Sequence, residues 1–211
     1  DAYARTPGLS DAGRAAVVLD ELAEFFKARA AARLKEKGIA YDVVAAVAAV
    51  AWAQPAVALE RARAFQKLRG DESFELLITG AKRVGNILSE NDKVFGSSLD
   101  TLDAAFSEAG ETRRFDPARF EDPQEKRLES AMRKAVKQLR SAEGTGTAED
   151  IVRTLAGIGP AIDDYFDHVL VNAPDPDLRS NRHRFLGAVF AVFSRYADFS
   201  QIVEEGKIAV G

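Results

Sequence analysis

The stretch that decides the fold is DPQEKRLESAMRKAVKQLR, Asp122–Arg140. Asp122 stands at a cap position and Pro123 at the first helical position, where a missing N–H costs nothing. Glu125 is placed to return its carboxylate to the cap backbone. This order predicts a helix from Pro123 to about Arg140. The same stretch is strongly basic: Lys126 to Arg140 holds six Lys and Arg against one acid.

Working outward, the same grammar repeats. Apolar residues recur at spacings of three and four instead of alternating, which is the period of a helix with one buried face. Val18, Leu22, Phe25 and Phe26 open a long helix from about Ala12 to Lys37. Gly38 stops it, and Lys35 and Lys37 sit in the last turn, where cations suit the helix dipole. Further helices are expected from about Asp42 through Ala51, from Pro55 to about Arg69, and from about Glu72 to Glu90 with Asp71 as the cap. Ser97 or Ser98 starts another, with Leu99, Leu102, Ala105 and Phe106 as its stripe. Beyond Arg140, the turn-rich run Ser141–Thr147 reads as an internal loop. Thr147 and Asp150 then form a second capping box for a short helix to about Gly157. Gly159-Pro160 begins a helix that ends before Pro174, and Asp175-Pro176-Asp177 leads into the last, about Leu178 to Ala197. No repeat of constant period is present, so a solenoid is disfavoured. The expectation is an all-α chain, a single helical bundle over residues 1–211 with short antiparallel connections. Residues 1–11 read as a linker remnant.

Composition narrows the chemistry. The 211 residues include no Cys and only two His, His168 and His183. That leaves no disulfide framework, no Cys zinc site and no thiol nucleophile, and makes a His-rich metal site improbable on composition. The net charge of −4 argues against wholesale basic wrapping of nucleic acid, but not against a local basic patch. Nothing approaches 18 consecutive apolar residues. The start, Asp-Ala-Tyr, has no Met and no signal-peptide pattern, and reads as a cut inside a longer chain.

Three helices carry residues with chemistry. In the segment Ile162–Val171, the residues Ile158, Ile162, Tyr165, Phe166, Val169 and Leu170 share one stripe, while Asp163, Asp164 and Asp167 gather opposite. Those acids form either a solvated face or an ion-pair surface against another helix. They also fit Asp-Asp-x-x-Asp, the Mg²⁺–diphosphate motif of all-helical isoprenoid synthases, whose hard oxygen ligands suit Mg²⁺. The second acidic cluster that such enzymes need does not occur in the sequence. In the last helix, Arg182 falls inside the stripe of Phe185, Leu186, Val189, Phe190, Phe193 and Tyr196, with Arg179 at its edge. A core-facing guanidinium needs a carboxylate. Arg182 is therefore expected to form a structural ion pair with an acid of the Asp163–Asp167 group or with Asp177. In the helix containing Thr79–Leu88, the small Ala81 and Gly85 allow a neighbour to come close. Lys82, Arg83 and Asn86 share the opposite face, with the donors that phosphates and base edges accept.

These segments also carry a family resemblance. The ordered set is Gly38–Val47, Arg61–Phe65, Lys82–Leu88, Ile162–Val171, Leu178–Arg182 and Tyr196–Ile202. Together they resemble the C-terminal region of the bacterial glycyl-tRNA synthetase β subunit. The resemblance implies an all-helical, DALR-like anticodon-binding domain similar to that of arginyl-tRNA synthetase. The parent would be an assembly of α and β subunits, cytoplasmic, joining glycine to tRNA with ATP and Mg²⁺. Glycine activation lies in that family's α subunit, so this segment is expected to be non-catalytic, to hold no cofactor of its own and to dock the anticodon arm of glycine tRNA. Its implied partners are glycine tRNA, the α subunit and the rest of the β subunit, with no membrane. The residues carried over are Lys82, Arg83, Asn86, Asp167, Arg179, Asn181 and Arg182. The resemblance does not assign RNA contacts among them; the candidates taken are Lys82, Arg83, Asn86, Arg179 and Asn181, with Arg182 and Asp163 or Asp167 as the candidate structural ion pair. Where the family has Asn before its Lys-Arg pair, this chain has Ala81; where the family has Phe-Phe-Asp, it has Tyr165-Phe-Asp. The stretch Gly110–Thr147 matches no motif of the family, so its basic helix rests on charge alone.

Overall fold

The computed structural model describes residues 11–88, 106 and 115–203, with side chains from residue 17 onward. Eight α-helices run through these residues: α1 Asp11–Glu36, α2 Tyr41–Ala51, α3 Pro55–Lys67, α4 Glu72–Ile87, α5 Pro123–Thr145, α6 Ala148–Ala156, α7 Gly159–His168 and α8 Pro176–Ser194. Two short 3₁₀ turns, Pro117–Arg119 and Phe199–Gln201, complete the regular structure, and no strand occurs among the described residues. The all-α reading holds. The helix expected from Ser97 or Ser98 lies outside the described residues, apart from Phe106, which is buried.

Local chemistry sets the helix starts. The Asp71 carboxylate accepts from the Phe74 N–H, and Asp175 accepts from the N–H groups of Asp177 and Leu178. Both expected capping boxes form, Asp122 with Glu125 and Thr147 with Asp150. Gly38, at φ +76°, ends α1 in the left-handed conformation that only glycine adopts cheaply.

Several ends differ from expectation. α5 continues through Ser141 to Thr145, so the loop there shrinks to Gly146 and Thr147. α7 stops at His168 and the chain extends. Side chains then alternate, so Val169 and Val171 are buried while Leu170, assigned to the helical stripe, is exposed. α8 stops at Ser194, and Arg61 donates to the carbonyls of Arg195 and Tyr196 just beyond. The apolar residues that open α1 do not join the core: Leu22, Phe25 and Phe26 are exposed, and α1 enters the bundle through Ala30 and Leu34 near its C-terminal end.

The centre of the bundle is the crossing of α4 and α7, the most extensive helix contact among the described elements. Its closeness comes from Gly80 and Gly159, while the expected small residues Ala81 and Gly85 lie toward α8. A Cβ on Gly80 would lie 2.5 Å from Ile162 Cγ2, and one on Gly159 would run into the Ser73 carbonyl. At Gly85 an added Cβ would make only ordinary contact with Phe190, at 3.5 Å. Around this crossing Phe74, Leu77, Ile78, Tyr165, Phe185 and Phe193 are fully buried. Phe115, Phe120 and Tyr165 each pack their rings against Phe185, with centroids 5.0 to 6.0 Å apart.

Candidate nucleic-acid interface

The polar face of α4 opens onto a cleft of about 660 Å³, walled by the C-terminal half of α8 and the second 3₁₀ turn. Lys82 and Asn86 lie one helical turn apart on its rim. Phe190, Phe193 and Phe199 supply apolar lining, and Ser194 and Ser200 supply hydroxyls. Asp198 caps the 3₁₀ turn, accepting from the Ser200 N–H at 3.1 Å and from its hydroxyl at 2.6 Å. Among the described residues the Asn86 side chain is exposed and makes no hydrogen bond. A cation, an amide with both donor and acceptor, and an aromatic wall suit a nucleotide's phosphate and base edge.

Arg83 stands beside this cleft. Its guanidinium lies over the Phe166 ring at 4.4 Å and its Nη2 donates to the Phe166 carbonyl at 3.4 Å. The side chain remains exposed, so it ties α4 to α7 and still presents charge outward.

The α8 residues behave differently. Arg179 is half-buried and its Nη1 donates to the Ala173 carbonyl at 2.9 Å, fastening the segment that enters α8. Asn181 is buried, and both ends of its amide are taken by one residue. Its Oδ1 accepts from the Asp116 N–H at 2.7 Å, while its Nδ2 donates to the Asp116 carbonyl at 2.9 Å. An amide held in this way fixes the first 3₁₀ turn, and at 4% exposure its remaining N–H and lone pair are closed to RNA. Placing Asn181 at an RNA surface is thus corrected by its burial.

Arg182 is buried at 5% exposure and ion-paired, but its carboxylate is Glu125, not Asp163, Asp167 or Asp177. Nε and Nη2 donate to the two Glu125 oxygens at 2.9 and 3.0 Å, and Nη1 donates to the Leu170 carbonyl at 2.9 Å. The same carboxylate accepts the N–H groups of Glu121 and Asp122 at 2.9 and 3.0 Å. The bond to Glu125 pushes Arg182 above the usual guanidinium range, against the opposing effect of burial. Asp163 is half-buried and Asp167 exposed, and neither forms an ion pair among the described residues. Asp164 pairs instead with Arg127 at 3.4 Å and with His168. No three His, Asp or Glu residues among those described, Asp163, Asp164 and Asp167 included, are grouped so that they could hold a metal ion.

Two charged clusters escaped the sequence reading. Asp42, 1% exposed, accepts from the Val43 and Val203 N–H groups and pairs with Arg69. Burial would raise its pKa, but these donors outweigh it and hold the carboxyl below the usual range. Glu143 receives Arg195 through two 2.8 Å bonds and the Tyr196 hydroxyl at 2.7 Å. Burial again opposes, and the donors again win, so this carboxyl is also lowered. The only hint of Asp42 in the sequence was its place at the start of a helix.

No protein-family model matches the chain. The chain is homologous over most of its length to glycine–tRNA ligase β subunits. It is 34% identical to that of Haemophilus influenzae over 189 residues, covering 87% of this chain and 23% of the relative. Its identity to the Actinobacillus pleuropneumoniae subunit is also 34%, over 87% of this chain and 24% of the relative. For Syntrophus aciditrophicus the figures are 30%, 88% and 24%. The chain thus spans about a quarter of the length of these relatives. No helix among the described residues is long and apolar enough to cross a membrane.

Proposed function

We propose, proceeding from this homology to a glycine–tRNA ligase β subunit, that the chain is a tRNA-docking module of such a ligase. It receives the anticodon arm of glycine tRNA while aminoacylation takes place elsewhere in an α/β assembly. In this reading the segment is non-catalytic, and ATP and Mg²⁺ serve the rest of the enzyme. The observation that carries the reading is the α4–α8 cleft, where Lys82 and Asn86 share a rim above an aromatic wall. Lys82 and Arg83 position phosphates, and Asn86 meets the edge of an unstacked base. Arg179, Asn181 and Arg182 act behind this surface by fixing the entry to α8.

The test is fluorescence anisotropy with labelled glycine tRNA at several salt concentrations. Lys82→Ala combined with Arg83→Ala is expected to weaken binding and to flatten the log K against log salt line by roughly 1.4 to 1.8, one increment per lost phosphate contact. Melting curves control for the loss of the Arg83–Phe166 contact. Binding unchanged at every salt concentration rejects these residues.

A second reading is favoured by one observation, the exposed Leu19, Leu22, Phe25 and Phe26 of α1. An apolar patch of that kind suits a protein contact within the same ligase. A gel shift comparing glycine tRNA with an unrelated tRNA separates the two, since a pure protein-contact domain shifts neither.

A further inference from the structure

The basic face of α5, Lys126 to Arg140, lies outside the α4 cleft. α5 sorts its charges by face. Its acids near the start turn inward: Glu125 is fully buried against Arg182, and Glu129 is buried and paired with Arg133 at 2.5 Å. Its cations turn outward: Lys126, Arg127, Lys134, Lys137 and Arg140 are all exposed. Lys126, Ser130, Lys134 and Lys137 follow spacings of four, four and three, which keeps them on one side of the helix. Lys126, Lys134 and Lys137 form no ion pair among the described residues. From Lys126 to Arg140 the face is about 21 Å long at 1.5 Å per residue.

We infer that this face of α5 is a second RNA surface, one that grips the phosphate backbone of a helical stem without reading bases. The inference rests on the tRNA-docking reading and extends it to a separate helix. The residue types favour RNA over a protein partner. Lysine is depleted at protein–protein interfaces, whose centres need aromatic or aliphatic anchors, and none of the exposed large hydrophobic residues lies on α5. Lysines interspersed with Ser130, Gln138 and Ser141 supply point charges and hydroxyl or amide donors, the groups that meet phosphates and 2′-hydroxyls. The face carries no aromatic ring and no asparagine, so it has little with which to discriminate sequence.

The experiment uses the full 211-residue chain and compares wild type with the triple variant Lys126→Ala, Lys134→Ala, Lys137→Ala. Glycine tRNA, an unrelated tRNA and poly-L-glutamate are titrated across a salt series. The triple variant is expected to lower the salt slope by about 2 to 3 and to weaken both RNAs by a similar factor, roughly tenfold or more at 50 mM salt. Replacing the same three residues by Arg restores slope and affinity, which separates charge from any effect on folding. If wild type binds RNA and the triple variant matches it, the inference falls while the docking reading stands. If wild type binds neither RNA, both fall. If the triple variant keeps RNA affinity but loses poly-L-glutamate, the surface takes an acidic polypeptide and the inference is overturned.

Discussion

Tyr165 shows at the scale of one residue how a local departure can be tested. It replaces a phenylalanine of the resembled motif, and its ring packs edge-on to Phe166 and Phe185 in the core. Its hydroxyl is buried and makes no hydrogen bond among the described residues. Burial, followed by the nearby Glu125 charge, pushes its pKa upward, so the group stays neutral. A buried hydroxyl without a partner costs about 1–3 kcal/mol. Tyr165→Phe is therefore expected to raise stability by about 1 kcal/mol or more in urea denaturation, with the m-value unchanged; a loss of stability would mean that the hydroxyl is satisfied in solution. Arg182 shows what a sequence yields at this scale and what it withholds. The need for a carboxylate was legible, because a guanidinium on an apolar stripe must be paired. Its identity was not, because Glu125 already had a local role in the capping box, and nothing in the spacing says that one carboxylate serves two masters. Asn181 was misread because its demand comes from the backbone of Asp116, which no side-chain pattern reveals.

Helix starts were legible because a cap and the N–H it satisfies lie within three residues of each other. Helix ends and crossings were not, because distant elements decide them. α7 ends where the Leu170 carbonyl is needed by Arg182, and α4 meets α7 where two glycines, Gly80 and Gly159, face opposing atoms. The periodicity marked the buried face of α4 that carries Ala81 and Gly85, but Gly80, which faces Ile162, stood outside that stripe and gave no signal. Two glycines, one at this crossing and one away from it on α5, give a prediction of opposite signs. Gly159→Ala drives a methyl into the Ser73 carbonyl and to 2.9 Å from the Leu77 N–H, so the helices must separate. The expected loss is about 1–3 kcal/mol, the usual cost of overpacking. Gly144, in the last turns of α5, has nothing within 4 Å of an added Cβ. Gly144→Ala should gain about 0.5–1 kcal/mol by helix propensity. Thermal melts of both variants beside wild type check the pair; two losses of similar size would show that the α4–α7 crossing is not the tight point.

At the scale of the whole molecule, Asp42 and Glu143 bind the chain's distant parts where α8 ends. Asp42 joins the start of α2 to Arg69 and to Val203, and Glu143 joins the end of α5 to Arg195 and Tyr196. Between them Arg61 donates to the carbonyls that follow α8. Both carboxyls titrate below their ordinary values of 3.8 and 4.5, so the folded state holds their charged forms more tightly than the unfolded chain does. Such groups lend stability that is complete above the unfolded value and is lost as pH falls through the lowered folded value. The melting temperature is accordingly expected to be steady from neutral pH to about 5 and to fall steeply below about 4. Other carboxylates contribute to that fall, so the decisive comparison is with Asp42→Asn. This variant should melt below wild type at neutral pH, having exchanged a charged acceptor for a neutral one opposite Arg69. Its deficit should narrow as pH drops below 3.8, because the unfolded wild-type chain then takes up the proton that the folded carboxyl still refuses, and the advantage of the charged form is drawn down. A deficit that stays constant from pH 7 to pH 3 would place the acid-sensitive tie elsewhere, with Glu143 and its Arg195 partner the next to exchange.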